Sequence, residues 1–342
     1  MKALPRTARP LHALWLAAAI ATPGCIETDI PPAGSYSEVL VVTEDGRGGA
    51  LARDVRRHLA TRLDYYISEE VQFKVQDIRG SELTANPYFK NIVLCGVASP
   101  LTHTGGHIVS LLGPEAVERA IAGKANIFKK EDLPGKGQVT VIVTGSSEEM
   151  IRQVLRERGH EVNEALERSC RRRLRGYLLG KKDSDLTRQL QRKYGFTIKV
   201  PTLYTLLSDE PDPPGIELMR DGPPRLLGIF WLDWDTTPTV KHEKELFDIR
   251  REYVYRRYDG DVMDSTRVRF SNGRLGDNPA VKMEGYWSNS RSVAGGYFES
   301  YFVYDEREKL LWVVDLLVYA PGLPKHPHFR ELLALAETFR YN

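Results

Sequence analysis

Apolar positions along this chain change period several times, and each change marks an element. The run Glu38 to Thr43 is short and β-branched, and Leu51, Val55, Leu59 and Leu63 follow at spacings of four, which predicts a strand and then one stripe of a helix. Val71, Phe73 and Val75 alternate with Gln72, Lys74 and Gln76, the period of a half-buried strand. The unbroken apolar runs 91–97 and 139–144 suit strands covered on both faces. Between them, 98–138 is rich in glycine and polar residues and predicts a surface stretch with one amphipathic segment, 114–121. Ser146 and Glu149 make a capping-box pair ahead of Ile151, Val154, Leu155, Val162, Leu166, Leu174 and Leu178. They predict one dominant helix ending at Gly180, about 50 Å long at ~1.5 Å per residue if Gly159 does not divide it.

The proline- and glycine-rich stretch 211–224 punctuates the chain, and strand patterns follow it at 225–235, 280–287, 296–304 and 310–319. The last two read as a hairpin turning at Glu306, Arg307 and Glu308. A final helix places Phe329, Leu332, Leu333, Ala336 and Phe339 on one face, which predicts docking on the sheet. The fold class is therefore α+β, with mixed or antiparallel sheets packed by a long helix and a C-terminal helix. Each half holds several strands and closes with a helix, so two similar halves stay open. The predicted division is a signal segment over 1–24, a tether over 25–37, an N-terminal half over 38–210 and a strand-rich C-terminal half over 211–342.

Composition adds exclusions. Hydrophobic residues at 42% and charged residues at 27% match an ordinary globular protein, and a net charge of +2 gives no reason to expect nucleic acid as a partner. The first residues say more. Lys2, Arg6 and Arg9 precede an apolar run from Leu11 to Ala21, with no acid until Glu27, which is the layout of a secretory signal. Such a run rises only about 15 Å as a helix, half of a bilayer core, so cleavage is predicted rather than spanning. Thr22, Pro23, Gly24 and Cys25 resemble the lipobox of bacterial lipoproteins, although Thr22 and Pro23 depart from it. The resemblance implies acylation of Cys25 and, because Ile26 follows, sorting to the outer membrane facing the periplasm. A conventional signal cut near Gly24 and an organelle transit peptide are the competing readings.

Cys95 and Cys170 are the other cysteines, too few for a disulfide framework or a zinc site, with a bridge between them left open. Nothing in the sequence calls for a cofactor: there is no G-x-S-x-G elbow, phosphate loop or dinucleotide fingerprint, and neither catalytic nor metal residues are assigned. His103 and His107 have a ligand-like spacing, but Gly105 and Gly106 argue against a helix there. Asp233, Asp235, Glu243 and Asp248 near Trp231 and Trp234 mix acids with aromatics as glycan-cleaving clefts do. Arg168, Arg171, Arg172, Arg173 and Arg175 with Lys181 and Lys182 form a basic group preceded by Glu161, Glu164 and Glu167, which predicts either a solvated face or contact with anionic headgroups.

The tail is similar to an uncharacterised family of bacterial lipoproteins classed as a domain of unknown function. The resemblance is carried by Gly285, Tyr286 and Trp287, by Gly295, Gly296, Tyr297, Phe298, Ser300 and Tyr301, and by Asp315, Val318, Tyr319, Ala320, Pro321, Gly322 and Lys325. It implies export and lipidation and brings no activity. The expectation is a lipid-anchored envelope protein with a non-catalytic binding or assembly role, its partner an envelope protein or anionic headgroup. Gly295, Gly296, Trp287 and Arg171, Arg172 and Arg173 are the interface candidates. An envelope hydrolase acting on glycan or peptide and a small-ligand carrier are the alternatives.

Overall fold

Val39 and Val41 face one layer of helices while Leu40 and Val42 face another, so the first strand is buried on both faces and must sit inside a sheet covered on both sides. A computed structural model describes residues 32–64, 69–85, 88–133, 135–180, 184–258 and 260–341. In chain order β1 (Glu38–Thr43), α1 (Ala50–Leu59), β2 (Arg62–Asp64), β3 (Glu69–Val71), β4 (Lys74–Arg79), β5 (Asn91–Val97), α2 (His103–Leu112), α3 (Pro114–Ile121), β6 (Ile127–Glu131) and β7 (Val139–Gly145) build the first half. Its sheet has the order β4-β1-β5-β7-β6, parallel except for the antiparallel edge strand β6.

Helix α4 (Glu148–Leu179) runs unbroken for 32 residues. Ile151, Val154, Leu155, Val162, Leu166 and Cys170 pack it, beside α1, on the first sheet, and Leu178 and Leu179 at its far end join the core of the second half. It is the beam that connects the two. Its N-cap is Ser147, whose hydroxyl accepts from the Met150 amide, one residue later than the pattern predicts.

The second half contains α5 (Asp185–Tyr194), β8 (Thr205–Pro211), β9 (Pro214–Arg220), β10 (Arg225–Asp233), α6 (Glu243–Arg257), β11 (Val262–Met263), β12 (Arg269–Leu275), β13 (Asn278–Asn289), β14 (Ala294–Asp305), β15 (Leu310–Val318) and α7 (His326–Ala336). Its antiparallel eight-stranded sheet has the order β11-β13-β14-β15-β10-β9-β8, with β12 also on β13. Alternation along β15 divides the core: Trp312, Val314, Leu316 and Val318 face α5 and α7, whereas Leu311, Val313 and Leu317 face α6.

The mixed and antiparallel sheets, the long helix and the docked C-terminal helix are as the sequence predicts. Two expectations are corrected. The halves are not copies of one unit, since one sheet is largely parallel and the other antiparallel. The turn at Pro211 to Pro214 is the tip of a hairpin inside the second sheet, because β8 and β9 pair right up to it, so it does not separate the halves.

Candidate functional site

A cleft of about 710 Å³ opens along the seam between the halves. Ser35, Tyr36, Ser37 and Lys74 line it from the first half, Leu174 from α4, and Arg220, Arg225, His328 and Glu331 from the second. Arg330 closes its inner wall. Although it belongs to α7, Arg330 is 1% exposed and reaches into the first half. Its guanidinium donates to both oxygens of Glu167 on α4 at 3.1 and 2.5 Å, to Ser37 Oγ at 2.8 Å, and to the carbonyls of Tyr36 and Gln72. His326 Nε2 stands 2.9 Å from Arg330 Nη2 and 3.4 Å from Glu167. Burial alone would raise the Glu167 carboxyl, but Arg330 and His326 outweigh it and hold that group well below the usual carboxylate range.

The outer wall carries a local excess of positive charge. Glu331 Oε1 accepts from Arg220 at 2.8 Å and from the Tyr204 hydroxyl at 2.8 Å, and Arg225 Nε lies 3.3 Å from the same oxygen. Two guanidiniums thus share one carboxylate. Burial lowers the Arg225 guanidinium, against the pull of Glu331, and burial together with Arg225 lowers His328. Lys74 is exposed and has no carboxylate partner among the described residues. Across the opening Glu69 pairs with Arg62, and Glu70 accepts the backbone amides of Lys325 and His326 at the start of α7. The two acids are therefore already engaged. A small anion with apolar parts fits these walls better than a cation does.

Of the residues singled out from sequence, Cys25 lies outside the described residues, as do Lys181 and Lys182. The basic group is not a free patch. Arg171 pairs with Glu337 at 2.7 Å and ties α4 to the end of the chain, Arg172 pairs with Glu131, and Arg173 donates to the carbonyls of Lys90 and Gly137. These arginines hold the fold together. Gly295 and Gly296 lie within β14, paired with Ser288 and Trp287 of β13. A Cβ at Gly296 would stand 3.0 Å from Trp287 Nε1, so that glycine is needed for the close approach of the buried indole.

His103 and His107 are on a helix after all, because Thr102 caps α2 and Gly105 fits where any Cβ would strike the Ser99 carbonyl. Among the described residues no group of three or more His, Cys, Asp or Glu is placed to hold a metal ion. Asp233, Asp235 and Glu243 are exposed, and Asp248 pairs with Lys244 and Arg251, so the four carboxylates do not share a cleft. Cys95 and Cys170 are both buried and unbridged. Sequence reasoning missed Arg330, Glu167 and Glu331. The available signal was a charged residue set inside each apolar helix stripe, Leu166-Glu167 and Phe329-Arg330.

Residues 183–338 match the model of a family described as Domain of unknown function (DUF4837), which places the family match over the C-terminal region where the resemblance was read. The match brings no activity with it. No curated protein matches the chain. Among solved structures, the crystal structure of LpqN, involved in cell envelope biogenesis of Mycobacterium tuberculosis, is 14% identical; the match covers 42% of this chain and 81% of that one, with a TM-score of 0.29. A likeness that loose carries no functional argument. Among the described residues no helix is long and apolar enough to cross a membrane.

Proposed function

We infer that this chain is a lipid-anchored protein of the bacterial cell envelope that binds a small anionic, partly apolar ligand in the seam between its halves and does no chemistry on it. The observation that carries the binding reading is the corner where Arg220 and Arg225 share Glu331 beside the unpaired Lys74, in a cleft of about 710 Å³. That volume lies within the ~300–1,000 Å³ range of small-ligand sites. Binding is favoured over catalysis because both histidines of the wall face a guanidinium, His326 that of Arg330 and His328 that of Arg225, which suits neither to the role of general base.

Support for the envelope comes from the basic leader, its short apolar run and the lipobox-like residues ending at Cys25. Pro32 lies seven positions after Cys25, a reach of at most about 25 Å. Since Ser35, Tyr36 and Ser37 line the cleft, an acylated Cys25 would keep the opening close to the membrane surface.

The test is the mass of the full-length protein released from envelopes by detergent, recorded once denatured and once native. The denatured spectrum is expected to show a chain beginning at Cys25 with a lipid adduct, and the native one a further non-covalent ligand of small mass. An intact leader or an unmodified Cys25 overturns the anchor, and a native mass equal to the denatured one overturns the binding role.

A further inference from the structure

The two ends of the C-terminal sheet differ in character. At one end lie the β8–β9 turn, the last residue of β10 and the β14–β15 turn, where Glu210, Asp212, Asp233, Glu306 and Glu308 are exposed against Arg307 and Lys309. At the other lie the start of β8, the β13–β14 turn and the connection from β15 to α7. There Leu203, Val293, Tyr319 and Leu323 are 57%, 89%, 37% and 53% exposed. Among the described residues the acidic end exposes no large hydrophobic side chain. Val293 is the clearest case. It stands near the tip of its turn with φ +50°, a left-handed backbone that a β-branched residue rarely adopts, so its conformation and its exposure are both unfavourable in water.

Two further observations say what covers this rim. The first is where the chain enters the fold. Ser35, Tyr36 and Ser37 line the seam cleft together with Gly222 of the β9–β10 turn and Pro324 of the β15–α7 connection, so the N-terminal strand arrives at the apolar end. Cys25 precedes Pro32 by at most about 25 Å of chain, which holds an acyl group at Cys25 on this side of the molecule. The second is charge. An anionic bilayer surface repels the acidic end, whereas the turns of the apolar end carry Arg220 and Arg291 against Asp221. Apolar side chains on separate turns suit a fluid layer that closes around each one, and tyrosine favours the boundary between lipid and water.

We propose that this end of the C-terminal sheet rests on the bilayer, with Val293, Tyr319 and Leu323 dipping into the headgroup layer and the acidic end turned away. The proposal rests on the acyl anchor at Cys25 inferred above and adds the face that the anchored protein presents. The test places lipid-anchored protein on vesicles of phosphatidylethanolamine and phosphatidylglycerol, with nitroxide probes on Val293→Cys, Leu323→Cys and, at the acidic end, Glu308→Cys. All three positions are exposed, so the variants should fold, and Cys95 and Cys170 are buried away from the label. The Val293 and Leu323 probes should be relaxed by oxygen, which collects in lipid, and should lose contact with a water-soluble nickel chelate. The Glu308 probe should keep that contact. Chelate contact as strong at Val293 and Leu323 as at Glu308, on protein whose mass shows an acylated Cys25, would overturn the orientation and leave the anchor standing. An unmodified Cys25 would overturn both. Spin–spin broadening between the Val293 probes of two chains would assign the rim to a second copy and overturn the proposal as well.

Discussion

Arg330 on α7 and Glu167 on α4 form a two-pronged ion pair, at 3.1 and 2.5 Å, at a point where three segments of the chain far apart in sequence meet. The same guanidinium holds Ser37 and the Tyr36 and Gln72 carbonyls of the first half. One side chain thus fixes the last helix, the long helix and the entry strand relative to one another, and the seam cleft opens beside it.

Removing one partner of a buried pair leaves the other charge uncompensated, a loss of about 3–5 kcal/mol. Glu167→Gln should therefore lower the urea midpoint strongly. Glu167→Gln with Arg330→Met should cost less than the sum of the single changes, since no lone charge is left behind. Additive losses in urea titrations of the four proteins would contradict the coupling.

The same pair sets a pH dependence. The folded-state Glu167 carboxyl is depressed, so the unfolded chain takes up its proton first as pH falls. Its stabilisation is whole above about pH 4.3, the ordinary glutamate value, and drains away as pH falls from there toward the folded-state value. Wild type should lose more stability than Glu167→Gln between about pH 6 and pH 3.5, measured by urea unfolding at each pH.

Gly159 tests the packing of α4 on α1. A Cβ there would come 2.4 Å from the His58 ring, so the alanine that improves helix propensity by about 1 kcal/mol must also push a packed side chain aside. The clash dominates in a close-packed interior, and Gly159→Ala should lower the melting temperature. A rise would show that His58 moves freely.

The α4 arginines should behave as structural groups. Arg173→Ala removes three bonds to backbone carbonyls, those of Ser169, Lys90 and Gly137, and is expected to cost about 1–3 kcal/mol in urea unfolding. Binding of unlipidated chain to vesicles containing anionic lipid should stay the same, where a free basic patch would lose affinity.

Burial pushes the thiols of Cys95 and Cys170 up and keeps both out of solvent. A thiol reagent should find neither in the native protein and both after denaturation. The count of three cysteines makes Cys25 readable in the same assay, since an acylated chain yields two thiols and an unmodified one three.

Elements with a clean hydrophobic period were legible in the sequence: Asn91–Val97, Pro114–Ile121, Leu310–Val318 and the long helix agree to within a residue or two. Helix α6 was not. It buries Arg250, which is 0% exposed and paired with Asp315 at 2.8 Å, so its inward face is partly charged and no apolar stripe announces it. Helix α2 was hidden by Gly105 and Gly106, which composition counts against a helix, although close packing requires the first of them. The candidate site was illegible for a related reason. Lys74, Arg220, Arg225 and Arg330 are scattered over more than 250 positions, and only strand order and the docking of α7 bring them to one seam.

The central claim is that this seam holds an anionic ligand. Native mass spectrometry of detergent-released wild type and of a Lys74→Ala, Arg220→Ala double variant tests it most directly, because Lys74 is exposed and Arg220 only partly buried, so the variant should fold. The wild type should carry one small anionic molecule that the variant has lost. The same ligand retained in both, or absent from both, would contradict it.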